Sequence, residues 1–265
     1  MERIGEREYR RSVRVVGRAV TIAVALHDSA GGTELVARSS PALPAQEMTA
    51  LVQRIFDLTA DVDAFQRLAA GDEILGPLVA RQPHIRLPQL ADRFEALIRA
   101  ILGQQVSVAA AATMTERVVR LLAVPATELD GEPFLAFPTP DALAATRPDA
   151  LRGIGLTRAK TESVLAAASA AATTLELDAL PGLAPEEADA RLVGVRGIGP
   201  WTAAYLRMRA FGDRDAFPAS DLGIIKAMRA FGITRPADVL ARAEAWRPWR
   251  AYAALHLWES LRAGG

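Results

Sequence analysis

The stretch Val193-Gly194-Val195-Arg196-Gly197-Ile198-Gly199-Pro200-Trp201-Thr202-Ala203 decides the reading of this chain. Gly197 and Gly199 give the backbone freedom to reverse tightly and to let another group approach closely. Pro200 suits the first position of a helix, where its missing N–H costs nothing. The first N–H groups of such a helix have no partner within it and point outward, so they can hold a phosphate. Taken alone, a Gly-x-Gly also fits a purely structural helix–turn–helix corner. Twenty-two residues past Gly199 stands an acid, Asp221, between Ser220 and a helical run. From position alone, Asp221 is either a helix N-cap or a carboxylate facing whatever the turn holds.

Working outward, the pattern is helical from Ala91 onward. Phe94, Leu97, Ile98, Ile101 and Leu102 form an apolar stripe, and a second long helix runs from Val108 to Leu122. Thr139 is an N-cap with Pro140 at the first helical position. Leu151-Arg152-Gly153-Ile154-Gly155-Leu156-Thr157 reads as a degraded copy of the later glycine turn, and it also precedes a helix, Arg158 to Ala172. The last helices are predicted near 222–231, 236–246 and 248–262. Upstream, Ser12 to Val16, Ala19 to Leu26 and Glu34 to Ala37 are predicted strands, with turns at Gly17-Arg18 and Ser29 to Gly32. Ala45 to Thr59 switches to helical period through Met48, Leu51, Val52, Ile55, Phe56 and Leu58. Gln82 to Pro88 reads as a linker because its prolines disrupt regular structure. The expectation is a mainly α protein. An N-terminal α/β module with its linker fills 1–88, and a helical domain fills 89–265 with lobes of about 93–216 and 217–265.

Composition excludes several chemistries. The 265 residues hold 31 basic and 31 acidic side chains, so net charge argues against indiscriminate binding of nucleic acid while allowing a small binding patch. Cysteine is absent, which removes disulfides, thiolate metal sites and cysteine nucleophiles. His27, His84 and His256 lie far apart, without metal-ligand spacing. No run approaches the length of a membrane span. Met1 to Arg11 lacks the apolar core of a secretory signal, so a cytoplasmic location is expected. Lysine, the usual imine-forming nucleophile, occurs only at Lys160 and Lys226.

The stretch from Val193 to Tyr205, followed by Phe217-Pro218-Ala219-Ser220-Asp221, resembles the helix-hairpin-helix DNA glycosylases. The family's Leu/Val-x-Gly-Ile-Gly hairpin is matched by Val195-Arg196-Gly197-Ile198-Gly199. The likeness continues in Ala100 to Ser107, in Trp246 to Tyr252 and in His256-Leu257-Trp258, so it covers most of 91–260. Within the family, the chain is most similar to the alkylbase-excising branch, DNA-3-methyladenine glycosylase II. That branch carries an N-terminal α/β module, and one strand or more of it is expected to be missing here. The implied fold is the two-lobed helix-hairpin-helix glycosylase fold.

The resemblance implies roles for individual residues. It places the catalytic aspartate on Asp221, where a carboxylate stabilises a sugar with oxocarbenium character and orients or deprotonates the attacking water. The base pocket falls on Trp201, Tyr205 and Trp258, with Leu222 in place of a tyrosine found in some members. Aromatic faces suit a flipped purine, and an electron-poor or cationic alkylated one further. Trp246 and Trp249 read as core. DNA contacts fall on Gln105, Gly197, Ile198, Gly199 and Thr202. Gln105 is either a wedge that fills the hole left by the extruded base or a helix-surface glutamine. No organic cofactor is implied, although main-chain carbonyls of Val193, Val195 and Ile198 would ligate a sodium or potassium ion. Strand-nicking members carry a lysine two residues after the second glycine, and here that position is Trp201. The expected activity is therefore monofunctional. The enzyme would release alkylated purines of the 3-methyladenine type from double-stranded DNA with a flipped base, as a nucleoid-associated monomer that needs no membrane. The rival readings are a bifunctional glycosylase/AP lyase acting on oxidised bases and a non-catalytic DNA-binding module.

Overall fold

A computed structural model describes residues 2–15, 17–29, 31–122 and 127–262. Val16, at the end of a predicted strand, and Ala30, inside the predicted turn Ser29 to Gly32, lie outside the described residues. The chain opens with an antiparallel meander, β1 (Glu2–Ile4), β2 (Glu8–Val15), β3 (Arg18–Ser29) and β4 (Gly32–Ser40). The helices α1 (Ala45–Ile55), α2 (Val62–Ala70), α3 (Leu75–Arg81), α4 (Arg93–Gly103) and α5 (Val108–Leu122) follow. A short hairpin, β5 (Thr127–Leu129) and β6 (Glu132–Phe134), precedes α6 (Pro140–Ala144), α7 (Pro148–Gly153) and α8 (Arg158–Thr173). The chain continues through α9 (Pro185–Val193), α10 (Pro200–Ala210), α11 (Leu222–Met228), α12 (Pro236–Ala243) and α13 (Arg250–Arg262). The sequence pattern gave α5 and the start of α8 correctly. It missed β1 and the β5–β6 hairpin, whose three-residue strands are too short to show a period.

The chain divides into two compact units. The first holds residues 1–55, 90–178 and 195–197; the second holds 56–89, 179–194 and 198–265. These limits differ from the boundaries read near 88 and 216. Residues 56–89 belong with the C-terminal helices because their apolar side chains are core. Phe65, Ala69, Leu75, Val79 and Leu87 share one buried cluster with Trp246, Tyr252 and Leu257. The proline-bearing stretch at 82–88 is thus no free linker, since Leu87 is fully buried. Trp246 is also core, as expected, and donates its indole N–H to Asp72 at 2.9 Å.

Asp57 ends the predicted 45–59 helix early. Its φ of 50° is left-handed, and α1 stops at Ile55. The buried Asp57 carboxylate accepts hydrogen bonds from Arg214 and Tyr252, and its carbonyl accepts one from Arg86. These partners fix a backbone that a helix cannot use, and Leu58 is left 37% exposed. His256 is buried against Phe65, ring centroids 5.4 Å apart. Burial pushes its pKa down to about 4, so at neutral pH it is an uncharged core residue.

In the first unit α4 is buried on almost every face, as its run of Phe, Ala, Leu and Ile requires. Its one buried acid, Glu95, is paired with Arg11 from β2 and with Arg99 one turn along. Asp92 caps the helix by accepting the Glu95 N–H. Removal of Arg11 would leave buried Glu95 with Arg99 as its ion-pair partner, and removal of Glu95 would leave buried Arg11 with the more distant Glu2 at 3.6 Å.

Candidate active site

Asp221 caps α11, with Oδ1 accepting the Ile224 N–H at 2.9 Å. The capping reading and the catalytic reading are not exclusive, because the same carboxylate has further partners. The Trp258 indole N–H donates to Oδ1 at 2.8 Å, and the Trp201 indole N–H donates to Oδ2 at 2.9 Å. A carboxylate offers about four lone-pair sites. Oδ1 has both of its sites filled, while Oδ2 has one left. Three donors from three different helices therefore fix the orientation of the group and leave a single acceptor direction, on Oδ2, for incoming chemistry. Asp221 itself is partly exposed.

The two tryptophans are also part of an aromatic cluster. Trp201 and Tyr205 lie four residues apart on α10 and stack, with centroids 5.3 Å apart and planes 19° from parallel. Tyr205 then meets Trp258 of α13 at 6.4 Å and 51°. The structure thus brings Asp221, Trp201, Tyr205 and Trp258 together within the second unit, as the sequence reading expects. Leu222 is different: it is 77% exposed, an apolar residue open to solvent and no buried wall. Trp249 packs against the core cluster, apart from these rings. A cavity of about 340 Å³ lined by Leu180, Leu183, Ala188, Arg207 and Phe211 includes none of the four site residues.

The sequence reading missed the indole N–H groups as donors, because spacing alone says nothing of which way a ring edge points. It also missed Gly223. A Cβ built there would lie 3.0 Å from Asp221 Oδ1 and 3.1 Å from Trp258 Cδ1. A glycine inside a helix's first turn was the available signal, since it costs helix stability and implies a close neighbour. Gly223→Ala should displace the carboxylate or the indole by a few tenths of an ångström and cut kcat by about tenfold, with DNA affinity retained. Single-turnover kinetics of the variant measure this; wild-type kcat would show that the close fit is unnecessary.

The turn between α9 and α10 is a tight reversal. Gly197 has φ of +87°, and Gly199 is the N-cap of α10 with Pro200 at its first position. Ile198 is buried and anchors the turn. Thr202, in the first turn of α10, is only 1% exposed. In the first unit, Gln104 Nε2 donates to the Gly197 carbonyl at 2.9 Å. Gln105 follows in a left-handed conformation, φ 57°, exposed on the turn between α4 and α5. It is therefore not a helix-surface residue.

Lys160 donates to the carbonyls of Leu102 and Gln104, at 2.7 and 3.0 Å, while Lys226 is exposed in the last turn of α11. Neither stands at position 201, where Trp201 instead holds Asp221. Among the described residues, the donors to the Asp221 carboxylate are the two indole N–H groups and the Ile224 N–H.

Comparison with known proteins shows the family. A family model for HhH-GPD superfamily base excision DNA repair proteins matches residues 98–251, and one for the AlkA N-terminal domain matches residues 1–92. The chain is 38% identical to DNA-3-methyladenine glycosylase 2 of Escherichia coli over 260 residues, or 97% of this chain and 87% of the relative. It is 39% identical over 214 residues to a probable bifunctional transcriptional activator/DNA repair enzyme AlkA of Mycobacterium tuberculosis. That match covers 80% of this chain and spans 42% of the relative's length. The solved structure of a 3-methyladenine DNA-glycosylase from Archaeoglobus fulgidus matches with a TM-score of 0.85 at 26% identity, covering 98% of this chain and 89% of that one. The chain belongs to the HhH-GPD superfamily of base excision DNA repair proteins, with an AlkA-type N-terminal domain.

Proposed function

We propose that this chain is a monofunctional DNA glycosylase that hydrolyses the N-glycosidic bond of alkylated purines, of the 3-methyladenine type, in double-stranded DNA. The observation that carries the reading is the Asp221 carboxylate, held by two indole N–H groups and one main-chain N–H beside a cluster of three aromatic rings. Such an acceptor is preorganised for positive charge that develops on a sugar ring, and no reorganisation is needed at the moment of reaction. The C1′–N bond breaks and the base leaves with the electron pair. A cationic alkylated purine becomes neutral in doing so and needs no general acid. Water then bonds to C1′ from the side of Oδ2, and its proton passes to the carboxylate or to solvent. The faces of Trp201, Tyr205 and Trp258 attract an electron-poor flipped base.

The Gly197–Gly199 turn grips a phosphate through main-chain N–H groups at the start of α10. Gln105, exposed on its turn, fills the space of the extruded base. A sodium or potassium ion would be held by the carbonyls of Val193, Val195 and Ile198, neutral oxygen donors at the end of α9 and in the turn beyond it. The enzyme acts as a monomer in the cytoplasm, which in a bacterium means in association with the nucleoid. Among the described residues no helix is long and apolar enough to cross a membrane.

The test is product analysis after incubation with randomly N-methylated duplex DNA. Free 3-methyladenine, with strands left intact until alkali treatment, is the expected result. Absence of released base at high enzyme concentration would leave only a DNA-binding module. A borohydride-trapped covalent adduct would instead indicate the lyase reading.

A further inference from the structure

The first two turns of α8 carry two side chains that the proposed chemistry does not use. Lys160 and Ser163 are three residues apart and so share one face of the helix. The Lys160 ammonium reaches the end of α4, where it donates to the carbonyls of Leu102 and Gln104 at 2.7 and 3.0 Å. No carboxylate accompanies it in these bonds, and partial burial lowers its pKa. The two carbonyls bracket the point at which the chain leaves α4 and enters the left-handed Gln105. A non-glycine residue in that conformation persists only when its surroundings over-determine it. The same short segment is fixed a second time, by Gln104 Nε2 donating to the Gly197 carbonyl at 2.9 Å. Gly197 in turn lies against Ser163: a Cβ built on it would fall 2.2 Å from Ser163 Oγ. Glu162, between the two, pairs with Arg196. All of these residues lie in the first unit.

We infer that Lys160 is a positioning residue for base extrusion: it sets the left-handed turn that projects Gln105 and, through Gln104, ties that turn to the phosphate-gripping hairpin. This rests on the reading of Gln105 as the wedge. It explains why an ammonium is spent on two neutral carbonyls, since a helix C-terminus followed by a left-handed residue needs its last carbonyls satisfied by a donor that can point two ways.

The test uses binding, so it does not depend on which alkylated base is preferred. The probe is a duplex with a tetrahydrofuran abasic analogue opposite 2-aminopurine, whose fluorescence reports disturbance of the orphaned base. Wild-type protein should change that fluorescence at saturation. Lys160→Met should lose most of the change while affinity, from anisotropy, falls by no more than about tenfold, because both Lys160 bonds lie within the protein and neither is made to DNA. Lys160→Arg, which keeps a two-way donor, should restore the signal. Gln105→Ala should lose the signal with Lys160 untouched. A full wild-type signal from saturated Lys160→Met overturns the role of Lys160. A full signal from Gln105→Ala, with loss in Lys160→Met, overturns the inference, because Lys160 would then act on the DNA through something other than Gln105. No signal from the wild type overturns both the inference and the wedge. Thermal denaturation separates these outcomes from unfolding: Lys160→Met should melt within a few degrees of wild type, and a collapse in Tm that Lys160→Arg does not repair overturns the positioning role.

Discussion

Asp221→Asn should abolish nearly all base release, lowering kcat by about 10³-fold, with little change in affinity for an abasic-analogue duplex. The size of the effect follows from two losses. The negative charge that meets the developing oxocarbenium disappears. The hydrogen-bond pattern also fails, because the three groups around the carboxylate are all donors. An amide has one oxygen and one NH₂. If the oxygen stays with Ile224 and Trp258, the NH₂ faces the Trp201 N–H, and two donors meet. The Trp201 ring then loses its anchor, so ring positions change along with charge. Asparagine is itself a good N-cap, so α11 and overall stability should be retained. Single-turnover base release beside a melting curve measures both. Activity in Asp221→Asn above roughly a tenth of wild type would contradict a charge-stabilising role.

Gly197→Ala should be the most damaging single methyl group added to the hairpin. Its φ of +87° is already unfavourable for a side chain. The new Cβ would lie 2.2 Å from Ser163 Oγ, 2.4 Å from Ser163 Cβ and 3.2 Å from Ser163 Cα. The first contact can be relieved by rotating a hydroxyl, but the others cannot. Strain and overpacking together should cost about 2–4 kcal/mol and lower Tm by several degrees. The turn would also pull away from Gln104, so DNA affinity should fall with stability. Ser163→Gly in the same chain should recover the packing share but not the conformational share. A Tm for Gly197→Ala equal to wild type would mean that the turn is not seated on α8.

Much of the site was legible in the sequence because its signals are local. The glycines and Pro200 specify a reversal into a helix, Asp221 sits where a cap belongs, and Trp201 and Tyr205 share a face by helical spacing. The place of residues 56–89 was not legible. Their apolar period is the same whether they cover the sheet or the C-terminal helices, and only packing chose the helices. The early end of the helix at Ile55 was hidden for a similar reason: Asp57 is polar and unremarkable until Arg214 and Tyr252, far along the chain, reach its buried carboxylate.

The sequence by itself determined the turn, the helix starts, the absence of a lysine at position 201 and the presence of an acid beyond it. These follow from backbone sterics and residue chemistry within a few positions. The tertiary structure alone decided that two indole N–H groups and a main-chain amide converge on that acid, that one lone pair of Oδ2 remains, and that Lys160 reaches back to the end of α4. Hydrogen-bond direction depends on where ring edges and ammonium groups come to rest in three dimensions, and neither composition nor periodicity encodes it.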